Sequence, residues 1–259
     1  MIIDCHVHVK HGDRYATEYT AGQIIGVMDE AGIDKSVVFA MKTGTRQSIE
    51  MAREAAQEYP DRLVPFAYAL PNAEGSILPD LEDAVTNQGF KGIKMHAGEV
   101  TLAQYVTDPI LDLAGRLSIP CLIDFMNSYG DLDRMAANFP GTNIIVAHMG
   151  RYKTTDEELI DRYIALATRY DNVYLDISGV VLIWKIKDAI ERVGASRVIF
   201  GTDGPQPTLD KAGFYARSEV TKIRTAGFSP EDTEAVLGGS MARLLGLTEG
   251  RASHGDSDA

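Results

Sequence analysis

Eight short apolar runs, each followed by a polar turn and an amphipathic stretch, predict an α/β fold for this chain: a single (β/α)8 TIM barrel of parallel strands with an extra C-terminal helix. The length agrees, since 259 residues matches the ~250 of one such barrel. A doubly wound open sheet is the competing topology. It would usually bring a glycine-rich phosphate loop after an early strand, and the sequence has none. The barrel is expected over residues 1–249, with 250–259 a flexible polar tail.

The first strand, at 2–8, alternates apolar and polar residues. In an extended strand that period puts Asp4, His6 and His8 on one face and Ile3, Cys5, Val7 and Val9 on the other. A helix at 21–31 carries Ile24, Ile25, Val27 and Met28, with Gly32 as its stop. Strand 36–40 leads to an Ala-, Glu- and Gln-rich helix at 46–59, ended by Pro60. Strand 63–69 precedes helix 77–87, whose apolar positions are Leu78, Leu81, Ala84 and Val85. Strand 92–96 and helix 109–117, then strand 120–125 and helix 132–139, repeat the unit. Strand 143–148 is followed by helix 156–170, with Thr155 as N-cap and Glu157 and Glu158 in its first turn. Strand 172–177, helix 182–193 and strand 197–202 complete the eight. Helices at 210–226 and 230–245 close the chain, the latter with Ser229 as cap and Pro230 at its first position.

Composition bounds the function. A 45% hydrophobic fraction supports a real core, and 37 acidic against 25 basic residues give a net charge of −12. Without a basic surplus there is no phosphate-backbone binding, so nucleic acid is excluded as a partner. No stretch approaches the ~20 apolar residues of a membrane span. The chain enters its first strand at once, leaving no room for a signal peptide. Cys5 and Cys121 both fall inside predicted strands and read as core thiols of a reducing compartment. The expectation is a soluble, cytoplasmic protein acting on a small molecule.

A barrel of this kind presents its functional groups at the carboxyl ends of the strands. Strand 1 offers His6 and His8, strand 4 Lys94 and His96, strand 5 Asp124, strand 6 His148 and strand 8 Asp203. Four of the six histidines lie at predicted strand ends; the others are His11, just past strand 1, and His254 in the tail. Two imidazoles on one rigid strand are half of a four-ligand site. With matching donors on other strands, they predict a mononuclear metal centre.

The motifs Ile3-Asp4-Cys5-His6-Val7-His8, Ala147-His148-Met149-Gly150, Tyr174-Leu175-Asp176-Ile177-Ser178, Phe200-Gly201-Thr202-Asp203 and Gly239-Ser240-Met241-Ala242-Arg243-Leu244-Leu245-Gly246-Leu247 carry a resemblance. In this order and spacing the chain resembles the amidohydrolase superfamily, in particular the amidohydrolase-related (amidohydrolase 2) group, over nearly its whole length. The resemblance implies that His6 and His8 are metal ligands. It implies that Asp203 is a ligand, or the base that deprotonates a metal-activated water. His148 is a ligand in some branches, and in this group an acid/base or substrate polariser.

The sequence departs from the family at strand 5, where a third histidine ligand is expected and Asp124 stands. Asp124 replaces it as a carboxylate ligand, or His96 or His148 supplies the third imidazole, or the metal is weak or absent. Carboxylate ligation would admit Mn²⁺ beside Zn²⁺, the first expectation for the single divalent ion. It would also lower the charge of the site, so other cations must orient an anionic substrate. Lys94, Arg46 and Arg151 are the substrate-binding candidates, with Lys42 and Lys153 in neighbouring loops. In binuclear relatives a strand-4 lysine is carboxylated and bridges two metals; here Lys94 reads rather as an ammonium facing substrate or as a structural lysine. Asp176 is placed to orient a ligand imidazole. Tyr68, Asn72, Asn127, Tyr129, Tyr152 and Trp184 are candidate pocket residues.

Three functions follow. The leading one is a metal-dependent hydrolase of a small amide, ester, lactone or cyclic carboxylate, working through metal-activated water. The second is a metal-dependent non-oxidative decarboxylase of an aromatic or unsaturated carboxylic acid, which a basic loop residue such as Arg46 or Arg151 would favour. The third is a non-catalytic barrel with a degraded metal site. A homo-oligomer is an expectation of the resemblance.

Overall fold

The structure is a computed structural model that describes residues 1–72, 75–206 and 208–247. The tail expected at 250–259, with His254, lies outside the described residues. The strands are β1 (Ile3–Lys10), β2 (Lys35–Ala40), β3 (Leu63–Pro65), β4 (Ala67–Tyr68), β5 (Ile93–His96), β6 (Cys121–Asp124), β7 (Ile144–Val146), β8 (Val173–Asp176) and β9 (Val198–Ile199). The helices are α1 (Ala21–Ala31), α2 (Thr45–Glu58), α3 (Leu78–Asn87), α4 (Gln104–Arg116), α5 (Tyr129–Asn138), α6 (Glu157–Arg169), α7 (Ile183–Val193), α8 (Leu209–Thr225), α9 (Pro230–Glu234) and α10 (Ser240–Leu244).

All neighbouring strands pair in parallel. β3 and β4 are one stave interrupted at Phe66, whose N–H bonds Val38 while Ala67 turns to Gly92. The ring closes between its first and last staves. There Cys5 N–H donates to the Phe200 carbonyl at 3.0 Å, and His8 N–H to the Gly204 carbonyl at 2.7 Å. The result is the eight-stave barrel expected from the sequence.

Two apolar layers fill it. Ile3, Cys5, Val37, Phe39, Leu122, Ile145 and Ile199 pack inside the ring, with Met241, Ala242 and Leu245 entering from its amino-terminal end. Val7, Val38, Ile93, Cys121, Ile123, Val146, Leu175 and Val198 face outward beneath the helices. Among the described residues no helix is long and apolar enough to cross a membrane.

The structure redraws the first strand. Its register against β2 slips between Asp4 and Val7, a β-bulge that resets which side chains face in. Ile3 and Cys5 point into the barrel, and so do His6 and His8, while Val7 and Val9 join the outer layer. Asp4 therefore does not share a face with His6. Its carboxylate turns instead to Thr202 N and Oγ1, at 2.9 and 2.6 Å, tying β1 to the stave beside it.

Smaller differences have local causes. Asp156, not Thr155, caps α6, because its carboxylate reaches the Leu159 N–H at 3.0 Å. α4 starts five residues before the expected boundary, at Gln104, and runs through Pro109, where an unfavourable interior proline suggested a start. The expected helix 230–245 contains a π-helical turn at Ala235–Gly239. A Cβ on Gly238 would lie 2.3 Å from the Met1 carbonyl oxygen, so the close approach of the first residues requires glycine there.

Candidate metal centre

The carboxyl ends of several staves break abruptly into left-handed backbone. His148 has φ 58° and Met149 48°, Asp203 57°, Met126 44° and Asn127 80°. Such backbone is costly for residues with a Cβ and recurs where side chains must be aimed. It turns His148 and Asp203 into the mouth of the barrel although each lies beyond its regular strand.

Three donors converge there. His8 Nε2 is 2.9 Å and His6 Nε2 3.3 Å from Asp203 Oδ1, all within buried side chains. Donors held tetrahedrally at ~2.1 Å around one ion are about 3.4 Å apart, so this spacing fits a metal with small adjustment. His6, His8 and Asp203 form a buried His/Asp cluster with metal-ligand geometry.

A second set of contacts fixes two imidazoles from behind. Asp176 Oδ2 accepts from His6 Nδ1 at 2.8 Å and from Ser178 Oγ at 2.6 Å. The Ser178 carbonyl accepts from His148 Nδ1 at 2.9 Å. Each imidazole thus carries a proton on Nδ1; neutral His6 presents an Nε2 lone pair to the pocket, and His148 turns its Nε2 toward Asp124. Gly201 makes room for this arrangement, since a Cβ there would lie 2.7 Å from Asp176 Oδ1 and 3.2 Å from His6 Cβ.

Across the pocket, Asp124 and His96 are held differently. The Gly98 N–H donates to His96 Nδ1 at 2.9 Å, so the ring proton sits on Nε2 and points at Asp124 Oδ2, 3.2 Å away. His148 Nε2 lies 3.5 Å from the same oxygen, and Met126 N–H donates to Asp124 Oδ1 at 2.9 Å. In this arrangement His96 Nε2 has no lone pair for a metal, and Asp124 is shared by two imidazoles.

The charges follow from these contacts. Burial opposes a charge on His148, but Asp124 and Asp203 outweigh it and raise its pKa to about 9. Burial also opposes the Asp203 carboxylate, yet the His148 charge and the His8 hydrogen bond hold it well below the usual range. Asp124 is lowered likewise, burial being overcome by His148 and His96. Burial and His11 push His8 down to about 3, and burial and Lys94 lower His6.

The remaining predicted residues separate. Lys94 is completely buried beneath the cluster, its Nζ 3.4 Å from His6 Nε2 and 5.2 Å from the Phe39 ring centre. Arg46 points away: its Nε bonds Asp80 at 2.9 Å, and it lines a separate depression with Asn72. Arg151 is exposed. Tyr152 lines the metal pocket, whereas Tyr68 donates to Glu99 and Trp184 to Glu157. Sequence reasoning missed Gly12, Asp13 and Met41, which close the pocket from loops and carry no chemical signature in the sequence. Ser178 appeared only as a motif letter, and its carbonyl could not have been anticipated.

Comparisons with known proteins agree with the fold. The structure resembles a dihydroxybenzoic acid decarboxylase from Polaromonas sp. with bound manganese (TM-score 0.68, 18% identity, 96% of this chain and 98% of that one). It also resembles a probable 2-pyrone-4,6-dicarboxylic acid hydrolase from Acinetobacter baumannii with citric acid bound (0.73, 19%, 95% and 99%). A third is 4-oxalomesaconate hydratase from Rhodopseudomonas palustris (0.70, 17%, 95% and 96%). At these identities the likeness concerns the fold, and the three names span three reactions. No curated protein gave a significant sequence match. The profile of the family described as Amidohydrolase matches residues 3–247, and with the barrel and the buried His/Asp cluster in view, the chain belongs to the amidohydrolase family.

Proposed function

We propose that this protein is a metal-dependent hydrolase that adds water to the carbonyl carbon of a small ester, lactone or amide. The observation that carries the reading is geometric: His6, His8 and Asp203 converge within 3.3 Å as metal donors, and beside them His148, fixed by its Nδ1 on the Ser178 carbonyl, turns Nε2 into the same pocket. A carboxylate and an imidazole facing one pocket can serve as base and partner acid.

His6, His8 and Asp203 would hold one divalent ion, Zn²⁺ or Mn²⁺, whose two imidazoles and carboxylate suit either. When bound, the ion supplies Lewis acidity toward the carbonyl and toward water. Asp203 takes the proton of the attacking water. His148, its Nδ1–H fixed on the Ser178 carbonyl, gives a proton from Nε2 to the leaving oxygen or nitrogen. Asp176 keeps His6 oriented, and Asp124 with His96 keeps His148 charged. Each role accords with the contacts described above.

The second reading, non-oxidative decarboxylation, draws on the Polaromonas relative by fold. The basic residues expected to favour it, Arg46 and Arg151, lie away from the pocket. The test is product analysis in ¹⁸O-labelled water with Zn²⁺- and Mn²⁺-loaded protein. Hydrolysis places one label in the acid product, and decarboxylation releases CO₂ and leaves no label in the decarboxylated organic product. Metal below ~0.1 per chain in gently purified protein, with no stabilisation on adding Zn²⁺ or Mn²⁺, would favour a non-catalytic barrel instead.

A further inference from the structure

Five imidazoles line the metal pocket: His6, His8, His11, His96 and His148. Three have Nδ1 tied by a hydrogen bond, His6 to Asp176 at 2.8 Å, His148 to the Ser178 carbonyl at 2.9 Å and His96 to the Gly98 N–H at 2.9 Å. His8 is different. It is buried, and its Nε2 is one of the three converging donors, yet its Nδ1 has no hydrogen-bond partner among the described residues.

A histidine ring turns about its last torsion over a broad range. An imidazole ligand with nothing on Nδ1 is therefore free to swing its Nε2 lone pair off an ion. Metal-bound histidines usually prevent this by donating Nδ1–H to a carboxylate or carbonyl. Around His8 the neighbours are rings instead. Phe39 lies opposite His8 in the β1–β2 register. It meets the imidazole edge-on, with centroids 4.8 Å apart and planes at 73°. His11 lies closer still, at 4.2 Å and a tilt of 38°.

The loop after β1 is built to deliver His11 to that place. Lys10 pairs with Glu18 across an antiparallel bridge, and the His11 N–H donates to the Thr17 carbonyl at 2.8 Å. Asp13 closes the turn by accepting from the Tyr15 and Thr17 N–H groups at 2.9 and 3.3 Å. The chain thus doubles back just beyond the ligand, and the His11 ring settles on His8. No hydrogen bond joins the two, since His11 Nδ1 is also buried and without a partner among the described residues.

We propose that His11 is a positioning residue which, with Phe39, clamps His8 in its metal-ligating orientation by ring contact, in place of the hydrogen bond that fixes His6. The ring performs this role and its nitrogens do not. The proposal rests on the metal-holding part of the reading above and is independent of which bond the protein breaks.

The deciding experiment sets a ring without nitrogens against a polar side chain without a ring. Zn²⁺ affinity is measured by competition with a chelator for the wild type, His11→Phe and His11→Asn. His11→Phe should hold Zn²⁺ within about twofold of the wild type, and His11→Asn about tenfold more weakly. If His11→Asn does not fold, His11→Gln carries the polar arm. A polar variant that binds as tightly as His11→Phe, at whatever level, overturns the clamp. The metal-free variants should melt within about 2 °C of each other. A polar variant that loses Tm as well as affinity would place the ring in the fold and not at the ligand, and so overturn the proposal. Wild-type protein that holds no Zn²⁺ would overturn the metal centre and the clamp together, whereas the other adverse results leave the metal centre standing.

Discussion

The two sides of the pocket are built to different standards of rigidity. On one side, His6, His8 and Asp203 stand on the staves that close the barrel, each 7% exposed or less. Asp176 and Ser178 fix His6 and His148 from behind with contacts of 2.6–2.9 Å. On the other side, His96 has a 23% exposed side chain, and its orientation depends on the N–H of Gly98 in a loop. Asp124 depends on the Met126 N–H in the same way. The first side has the geometry to hold an ion, and the second has the geometry to adjust a proton or a substrate. Ligand geometry tolerates little displacement, whereas a hydrogen-bonded acid–base pair can follow a ligand by small loop movements.

Removing the first side should produce the largest effect. His6→Ala is expected to take metal content from about one per chain to below ~0.1 and to lower hydrolysis at least ~1000-fold. His96→Ala should keep its metal and lose roughly tenfold in rate. Equal metal loss in both, read by elemental analysis, would abolish the distinction between the two sides. Asp176→Asn comes next. An amide cannot accept from His6 Nδ1, Ser178 Oγ and the Ser178 N–H together, so metal affinity should fall about 10–100-fold in competition with a chelator.

Asp124→Asn sharpens the contrast through pH. In the metal-free protein the folded pKa of His148 is raised to about 9, above the ~6.5 of an unfolded histidine. Its protonation therefore stabilises the fold fully below pH ~6.5, and that contribution is lost as pH rises through about 9. The variant should show a smaller fall in Tm between pH 6.5 and 9 and a lower His148 pKa by NMR; unaltered values would deny Asp124 its role. The smallest effect belongs to Gly12→Ala. A Cβ there would lie 2.8 Å from Met41 Cε and 3.1 Å from Glu99 Oε1, both ends of flexible side chains. A cost of about 1 kcal/mol is expected, seen as a Tm lower by ~2–4 °C.

The same division explains what the sequence could reveal. His6 and His8 were legible because imidazoles two apart at the end of an apolar strand have few other uses. Lys94, His96 and Asp124 followed from plain alternation, and their staves obey it. Alternation alone places Asp4 on the face of His6, because a bulge adds one residue to the period and leaves no compositional trace. His148 and Asp203 are readable as strand-end donors, yet their aim depends on left-handed backbone, which periodicity does not describe. Arg46 and Arg151 occupy the right loops, but direction within a loop is set by tertiary partners such as Asp80. Asp13 and Met41 reach the pocket only through where those loops fold.

The seam that closes the barrel has a consequence for how the protein is made. His8 and Asp203 are 195 residues apart in sequence. At ~5–20 residues per second, a ribosome that has released the first waits on the order of 10–40 seconds before the second exists. No nascent chain or truncated product ending before strand β9 can assemble the three-donor cluster. Metal retention should therefore report completed synthesis and ring closure together, distinguishing finished molecules from fragments that share their first seven staves.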